Sequence, residues 1–538
     1  MRRAFITLCS VAACLLAAQA SAAATGFIRV SNARFVDEDC KEFIANGLNT
    51  WQLLEVAAGN LASKPVVGAS GVTDVIQWTL ATAAANNLTV LRSFAFGTDT
   101  SFPLQNKPGV YNEHAFAALD HILNEASKYG IRLILPLTDN WSASDSKDQY
   151  VSWSSSARGS LLSRLSHGVL GDPGTPDAFY TDSMCRKNFK EHMSTIVNRR
   201  NSINGRLYRD DPTIFAWDLM NEPRCDCFPD QIPAPPEMVS CRPECAGKIQ
   251  GWIEEMSGHL KSLDPNHLVT VGEEGFYAMG SVNEHLNPGN GWASITGQNF
   301  SMNHSPATID FAAIHLWPDN WETWDLNFLH KWIQVHAEDA AAMGKPLIVE
   351  EFGKQVLLDT PKQRATIMSL RMPFYRKVYD ALKESLASPN GTLRGVVFWQ
   401  WGFEPYVSNS HFGKCRHCEA IQVSASDSVF TQVIRPAADY SHGLLAVAPP
   451  VPGCKLVDAK DRAKPLPTLS MASVLEASTT QEAAKKGLTE GSQTSPGASA
   501  DVSNQLGIQR ATRKDGANKR TRHSHQKALH QRSNSRHS

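Results

Sequence analysis

Two apolar runs in this chain end in glutamate. Ile214-Phe215-Ala216-Trp217 leads through Asp218-Leu219-Met220 to Asn221-Glu222-Pro223, and Pro346-Leu347-Ile348-Val349 leads to Glu350-Glu351-Phe352-Gly353. Paired carboxyl groups are what cleavage of a glycosidic bond requires: one protonates the departing oxygen, the other attacks the sugar carbon or activates water. Each run has the length and composition of a buried strand. Proline cannot continue a ladder and holds the residue before it extended. Glu222 is therefore expected where a strand gives way to a loop, aimed along the strand axis. In a barrel of alternating strands and helices, that end carries catalytic groups. The apolar approach to Glu222 suggests a raised pKa. In the second run, neighbours on a strand point to opposite faces, so only one of Glu350 and Glu351 can face a cleft.

The elements that must position these acids can be read in order. Residues 27–35 suggest a hairpin capping a barrel floor, and 43–49 a first strand. A helix over 72–85 leads to a second strand over 88–96, with Arg92 inside it; a buried arginine needs a partner. A helix over 114–129 precedes a third strand over 131–137. Residues 138–181, rich in Ser, Gly and Asp, read as a long loop. Its aromatics Trp141, Tyr150 and Trp153 either stack on sugar rings or pack. A helix over 182–201 returns to the Ile214 strand. The Pro- and Cys-rich stretch 225–245 reads as a loop walling a cleft. A helix over 248–263 and a fifth strand over 267–272 follow, with Glu273 and Glu274 read as solvated acids. A sixth strand over 309–317 carries His315 near its end. Trp324, Phe328, Trp332 and Val335 form a helical core stripe. After Glu351, a helix over 363–386 should kink at Pro373, and an eighth strand over 394–400 carries Trp399. Eight strand–helix alternations argue for an α/β fold, a closed (β/α)8 TIM barrel with a small N-terminal β-hairpin.

Beside Leu219 to Cys225 (L-M-N-E-P-R-C) and Glu351 to Lys354 (E-F-G-K) stand Ala45-Asn46-Gly47, Leu91 to Phe96, His315 to Trp321 and Phe398-Trp399-Gln400. Taken in this order, the set resembles glycoside hydrolase family 5, its plant- and fungal-type endo-β-1,4-mannanases in particular, over residues 26–447. The resemblance implies Glu222 as acid/base and Glu351, the glutamate directly before Phe-Gly, as nucleophile, with Glu350 the alternative. It puts Arg92 beneath the nucleophile, Asn221 on the 2-hydroxyl of the reacting sugar, and Arg224 on mannose beyond the cleavage point. It gives His315 a role orienting the acid/base or binding substrate. The flat face of Trp399 would suit the sugar at the cleavage point. Trp317 departs from the pattern: many relatives carry tyrosine there, bonded to the nucleophile. With tryptophan that bond is expected to be weaker or absent, leaving more of the work to Arg92. Retention of configuration and a β-mannan substrate are implied, with no cofactor and no metal. A related β-1,4- or β-1,3-glucanase is the first alternative. A wall-binding protein that has lost catalysis is the second, and the intact carboxylates argue against it.

The chain has 538 residues and a formal net charge of −1, which gives no hint of a nucleic-acid partner. Met1-Arg2-Arg3, the apolar stretch to Ala20 and the small residues Ser21 to Ala24 read as a secretory signal peptide over 1–24. No later stretch approaches ~20 uninterrupted apolar residues, so no membrane anchor is expected. The protein is expected to be secreted, extracellular and a monomer. Cys9 and Cys14 leave with the signal. Cys40, Cys185, Cys225, Cys227, Cys241, Cys245, Cys415, Cys418 and Cys454 are odd in number, so at least one lacks an intrachain partner. In an exported protein, disulfides are favoured over zinc ligation. Sequons stand at Asn87, Asn140, Asn299, Asn303 and Asn390. The catalytic domain is expected over 25–454. Residues 455–538, low in complexity and basic at the end, read as a disordered tail.

Overall fold

Eight short runs rich in Val, Ile, Leu and Phe pair edge to edge as parallel strands, buried on both faces as such sheets must be. They are β1 (Ala45–Asn49), β2 (Val90–Arg92), β3 (Arg132–Pro136), β4 (Ile214–Asn221), β5 (Leu268–Gly272), β6 (Ala312–Leu316), β7 (Leu347–Phe352) and β8 (Leu393–Phe398). Their order in the sheet is 5-4-3-2-1-8-7-6, the order of a (β/α)8 barrel. This computed structural model describes residues 26–59, 72–97, 103–141, 144–157, 176–225, 241–289, 291–321, 323, 325–354, 361–403 and 421–456. The expected signal peptide, the basic tail, Trp324, Cys227, Cys415 and Cys418 lie outside them.

The seam between β5 and β6 closes by one backbone bond and several side chains rather than by a ladder. Asp310 N–H donates to Val269 O at 2.8 Å, and its carboxylate accepts Val269 N–H at 2.7 Å. Thr270 Oγ1 donates to Phe311 O at 3.0 Å, and His304 Nε2 accepts Ala313 N–H at 3.2 Å. The crossover at this seam also lacks a long helix: among described residues it has Phe300–Asn303 and 3-10 turns.

Helices clothe the other strands. Glu113–Lys128 starts where Asn112 Oδ1 accepts the N–H groups of His114 and Ala115. Ser183–Val197 is capped in the same way by Asp182. Leu326–Ala342 ends before Gly344, which takes a positive φ of 70°. Pro373 lies inside the helix Pro361–Ala387.

Residues 138–181 are not a continuous loop. They contain the helix Lys147–Ala157 and the 3-10 turn Pro176–Tyr180. Tyr150 is fully buried against Phe179, Phe189 and Trp153, so it is core. Trp141 is the exposed one, at 45 %. The helix expected over 248–263 begins earlier, at Cys241, inside the stretch read as a loop.

The floor is apolar. Arg29–Ser31 and Arg34–Val36 form an antiparallel hairpin, and Glu42–Phe43 adds a third strand. Phe35 meets Phe215 and Phe311 edge-on, with centroids 5.1 and 5.4 Å apart. Ala45, Val90, Ile134, Leu268, Ile348 and Val397 complete this layer. A disulfide joins Cys40, beside the hairpin, to Cys454, and a second joins Cys225 to Cys245. Cys185 is buried, its Sγ donating to Tyr150 O at 3.5 Å.

Candidate active site

Above the apolar floor the barrel interior turns polar. Arg92, the last residue of β2, is fully buried and central. Its Nη2 donates to Asp218 Oδ2 and to Asn221 Oδ1, both at 2.9 Å, and its Nη1 donates to Glu351 Oε2 at 3.0 Å. Its Nε lies 3.7 Å from Glu350 Oε2. A guanidinium taken out of water needs this many acceptors. Gly272 permits the Asp218 contact: its N–H donates to Asp218 Oδ1 at 2.7 Å, and a side chain there would strike that carboxylate.

Glu222 is not held extended by Pro223. Its φ is +50°, in the left-handed region. Asn221 N–H is still laddered to Thr138 O at 2.9 Å, and Glu222 N–H donates to Gly272 O at 2.6 Å. Both neighbouring strands thus grip β4 to its last residue, and the chain turns sharply at Glu222. Strain of this kind costs about 1–3 kcal/mol and gathers at functional sites. The turn aims the carboxylate across the barrel mouth, where His315 Nδ1 lies 2.9 Å from Oε1 and Trp141 Nε1 donates to Oε2 at 2.7 Å.

Adjacency on β7 does not send Glu350 and Glu351 to opposite faces. Ile314 pairs with Val349 but His315 pairs with Glu351, so β7 carries an extra residue. This bulge re-aims the side chains. Glu350 points inward, fully buried, with Oε2 3.7 Å from His315 Nε2 as well as from Arg92. Glu351 reaches the rim at 5 % exposure. The weak or absent bond expected from Trp317 is corrected: its indole Nε1 donates to Glu351 Oε1 at 2.8 Å. An indole N–H is a competent donor to a carboxylate. Carboxylate oxygens of Glu222 and Glu351 and a ring nitrogen of His315 all lie within 4.8 Å of one another. Among the described residues this is the one grouping with metal-ligand types. Arg92 and the imidazole already supply its positive charge, so an ion-pair cluster accounts for it.

The remaining expected residues line the same mouth. Asn221 is buried, its Nδ2 donating to Asp139 Oδ1 at 3.0 Å. Arg224 lies over the rings of Trp141 and Phe276, each at 5.3 Å, and of Trp292 at 5.7 Å. It pairs with Glu274. Glu273 and Glu274 are therefore not solvated acids: both are fully buried. Gln298 also donates to Glu274, and His304 Nδ1 lies 3.3 Å from Glu273. Trp399 is half-buried just past β8, its ring 6.3 Å from that of Trp317. Asp139, Asp218 and Glu274 are parts of the site that sequence reasoning passed over. A polar residue at a strand end was the available signal, and such residues are too common to single out.

The electrostatics also reverse an expectation. Burial works against a charged Glu222, but the hydrogen bond and charge of His315, then Arg224 and Trp141, outweigh it and bring its pKa down to about 2. Burial alone would lower His315; the charge of Glu351 and the carboxylates of Glu222 and Glu350 raise it to about 10. Burial raises Glu351, and the charge of Glu222 adds to this against His315, Arg92 and Trp317. Both shifts favour a proton on the imidazole, one hydrogen bond from Glu222.

Two carboxylates meeting at the C-terminal rim of a (β/α)8 barrel define a glycoside hydrolase site. A family model described as GH family 5 beta-mannosidase-like matches residues 25–414, and the chain belongs to that family of glycoside hydrolases. It is similar to a mannan endo-1,4-beta-mannosidase of Oryza sativa subsp. japonica, 36 % identical over 383 residues, covering 70 % of this chain and 73 % of that protein. A mannan endo-1,4-beta-mannosidase of Arabidopsis thaliana is 34 % identical over 385 residues, covering 70 % and 82 %. Among solved structures, the endo-1,4-beta-mannanase of Rhizomucor miehei superposes with a TM-score of 0.58 at 26 % identity, covering 78 % of this chain and all of that one.

Proposed function

We propose that this glycoside hydrolase is a secreted, retaining endo-β-1,4-mannanase acting on internal bonds of mannan, glucomannan and galactomannan. The observation that carries the reading is the proximity of Glu222 and Glu351, with atoms within 4.8 Å of each other and of His315. That closeness supports the retaining mechanism, whose carboxyl groups stand roughly 5–5.5 Å apart, over the inverting one, at roughly 6.5–9.5 Å. The names of the relatives support the substrate class.

Glu351 attacks the anomeric carbon. Arg92 and Trp317 each donate to one of its oxygens, which favours the ionised, nucleophilic form. Glu222 delivers the proton to the departing oxygen. His315 stores that proton 2.9 Å from Glu222 Oε1. As Glu351 bonds to carbon its charge is consumed, and with it the principal support for a charged imidazole. The His315–Glu222 pair then becomes a stronger acid as the leaving group departs. In the second half, Glu222 is a carboxylate again and deprotonates the water that releases the sugar. Asn221 keeps one Nδ2 hydrogen for the 2-hydroxyl, a contact that tightens in the transition state. Arg224 contacts the sugar beyond the cleavage point, and Trp399 stacks at it.

Reducing ends released from galactomannan, with carboxymethylcellulose untouched, are the expected result. The reverse would indicate a glucanase, and tight binding without turnover a binding protein. Proton NMR of the first anomer formed should show retention. Glu351→Ala should abolish turnover and leave binding; full activity would move the nucleophile to Glu350. Secretion is supported by the leader-like residues 1–24 and by the disulfides Cys40–Cys454 and Cys225–Cys245. A mature N-terminus near Ala24 in the culture medium is expected; an intact Met1 leader on active enzyme would refute processing.

A further inference from the structure

Beyond the end of β3, Asp139 pairs as an isolated parallel bridge with Asn221, the residue before Glu222. Its side chain is buried, and its Oδ1 does two things. It accepts Asn221 Nδ2 at 3.0 Å and the backbone N–H of Trp141 at 3.2 Å. On its other side the Asn221 amide oxygen accepts Arg92 Nη2 at 2.9 Å. An amide placed between a carboxylate and a guanidinium has one workable orientation. Turned over, its NH2 would meet donors and its oxygen would meet an acceptor. Trp141, tied to the same Asp139 oxygen through its backbone, reaches Glu222 Oε2 with its indole at 2.7 Å. One oxygen atom thus holds both groups that flank Glu222.

We infer that Asp139 is a positioning residue for the reaction, fixing the Asn221 amide so that its remaining N–H meets the hydroxyl at C2 of the reacting sugar. This rests on the role proposed for Asn221 above. A third carboxyl beside Glu222 and Glu351 is otherwise unfavourable. Burial and the charges of those two acids push it up to about 7, against the donors Asn221 and Trp141. The hold survives protonation, because a proton on Oδ2 leaves Oδ1 a carbonyl acceptor. Asp139 therefore orients the amide in either state.

The test compares two substrates, an aryl β-mannobioside and its analogue lacking the 2-hydroxyl on the reacting sugar. Asp139→Ala should lower kcat/KM on the first by roughly 10-fold or more, as misplacement of a positioning group does, and cost the second markedly less, the remaining loss coming from the Trp141–Glu222 contact. Asp139→Ser makes the same comparison if the alanine variant does not fold. Asp139→Asn keeps a carbonyl acceptor and should recover most of the loss; a variant no better than alanine would overturn the hydrogen-bond account. Asn221→Ala is run alongside. If Asn221→Ala discriminates the substrates and Asp139→Ala does not, Asp139 acts only through the fold and the inference fails. If Asn221→Ala costs both substrates equally, the Asn221 assignment itself is wrong, and the inference falls with it.

Discussion

The indole N–H of Trp317 donates to Oε1 of Glu351 at 2.8 Å. Arg92 donates to Oε2 at 3.0 Å, so each oxygen of one carboxylate has its own donor. Both bonds favour the charged form, against a burial that disfavours it.

Trp317→Phe keeps an aromatic ring and removes one donor. A hydrogen bond to a charged group contributes about 1.5–3 kcal/mol, so kcat/KM should fall by roughly 10- to 100-fold. The sign of the pH effect follows from the same bond. Losing a donor to a carboxylate raises its pKa, so the acid limb of kcat/KM should move to higher pH. An acid limb that stays in place would show that Arg92 alone sets the ionisation of Glu351.

His315→Gln tests the proton store. With the imidazole removed, burial of Glu222 is no longer outweighed, and its pKa should rise above the present value of about 2. The proton that His315 now holds up to about pH 10 then resides on a carboxyl group alone. The basic limb of kcat/KM should therefore shift downward, a change read from pH–rate profiles of the two proteins. An unmoved basic limb would argue that Glu222 holds its own proton throughout.

Arg92→Met removes the guanidinium shared by Asp218, Glu350 and Glu351, all buried. Breaking a buried pair from one side costs about 3–5 kcal/mol. Thermal unfolding should occur at lower temperature and be rescued in part at acid pH. Uncompensated buried carboxylates are raised, take up protons more readily in the folded state than unfolded, and so cost less as pH falls. Unfolding curves at pH 5 and pH 8 check both points.

The Cys40–Cys454 disulfide closes a sequence separation of 414 residues and ties the floor hairpin to the end of the described chain. Its effect falls mainly on the unfolded ensemble, about 2–4 kcal/mol for a typical bridge. Cys40→Ser with Cys454→Ser should lower the unfolding temperature while kcat/KM at 25 °C stays at the parent value. A loss of activity without loss of stability would contradict a purely architectural role for the floor.

Local pattern sufficed for much of this protein. Apolar runs of strand length, separated by helical periodicity, determined the barrel, because a strand buried on both faces leaves a mark no loop imitates. Two of those runs ending in Asn221-Glu222-Pro223 and Glu350-Glu351-Phe352 located the acids. What a residue's neighbours would be, several strands away, was outside that pattern. The bulge on β7 arises from how β6 and β7 register, and it brought Glu350 and Glu351 to the same Arg92. The pKa order of Glu222 and His315 depends on a contact across 93 residues of chain. Glu273 and Glu274 read as solvated because the family resemblance assigns them no chemistry; only packing against His304, Arg224 and Gln298 shows them buried. Hydrophobic periodicity is a property of consecutive residues and survives in the sequence alone. The charge state of a carboxyl group is set by whatever surrounds it in space, and that is decided when the barrel closes.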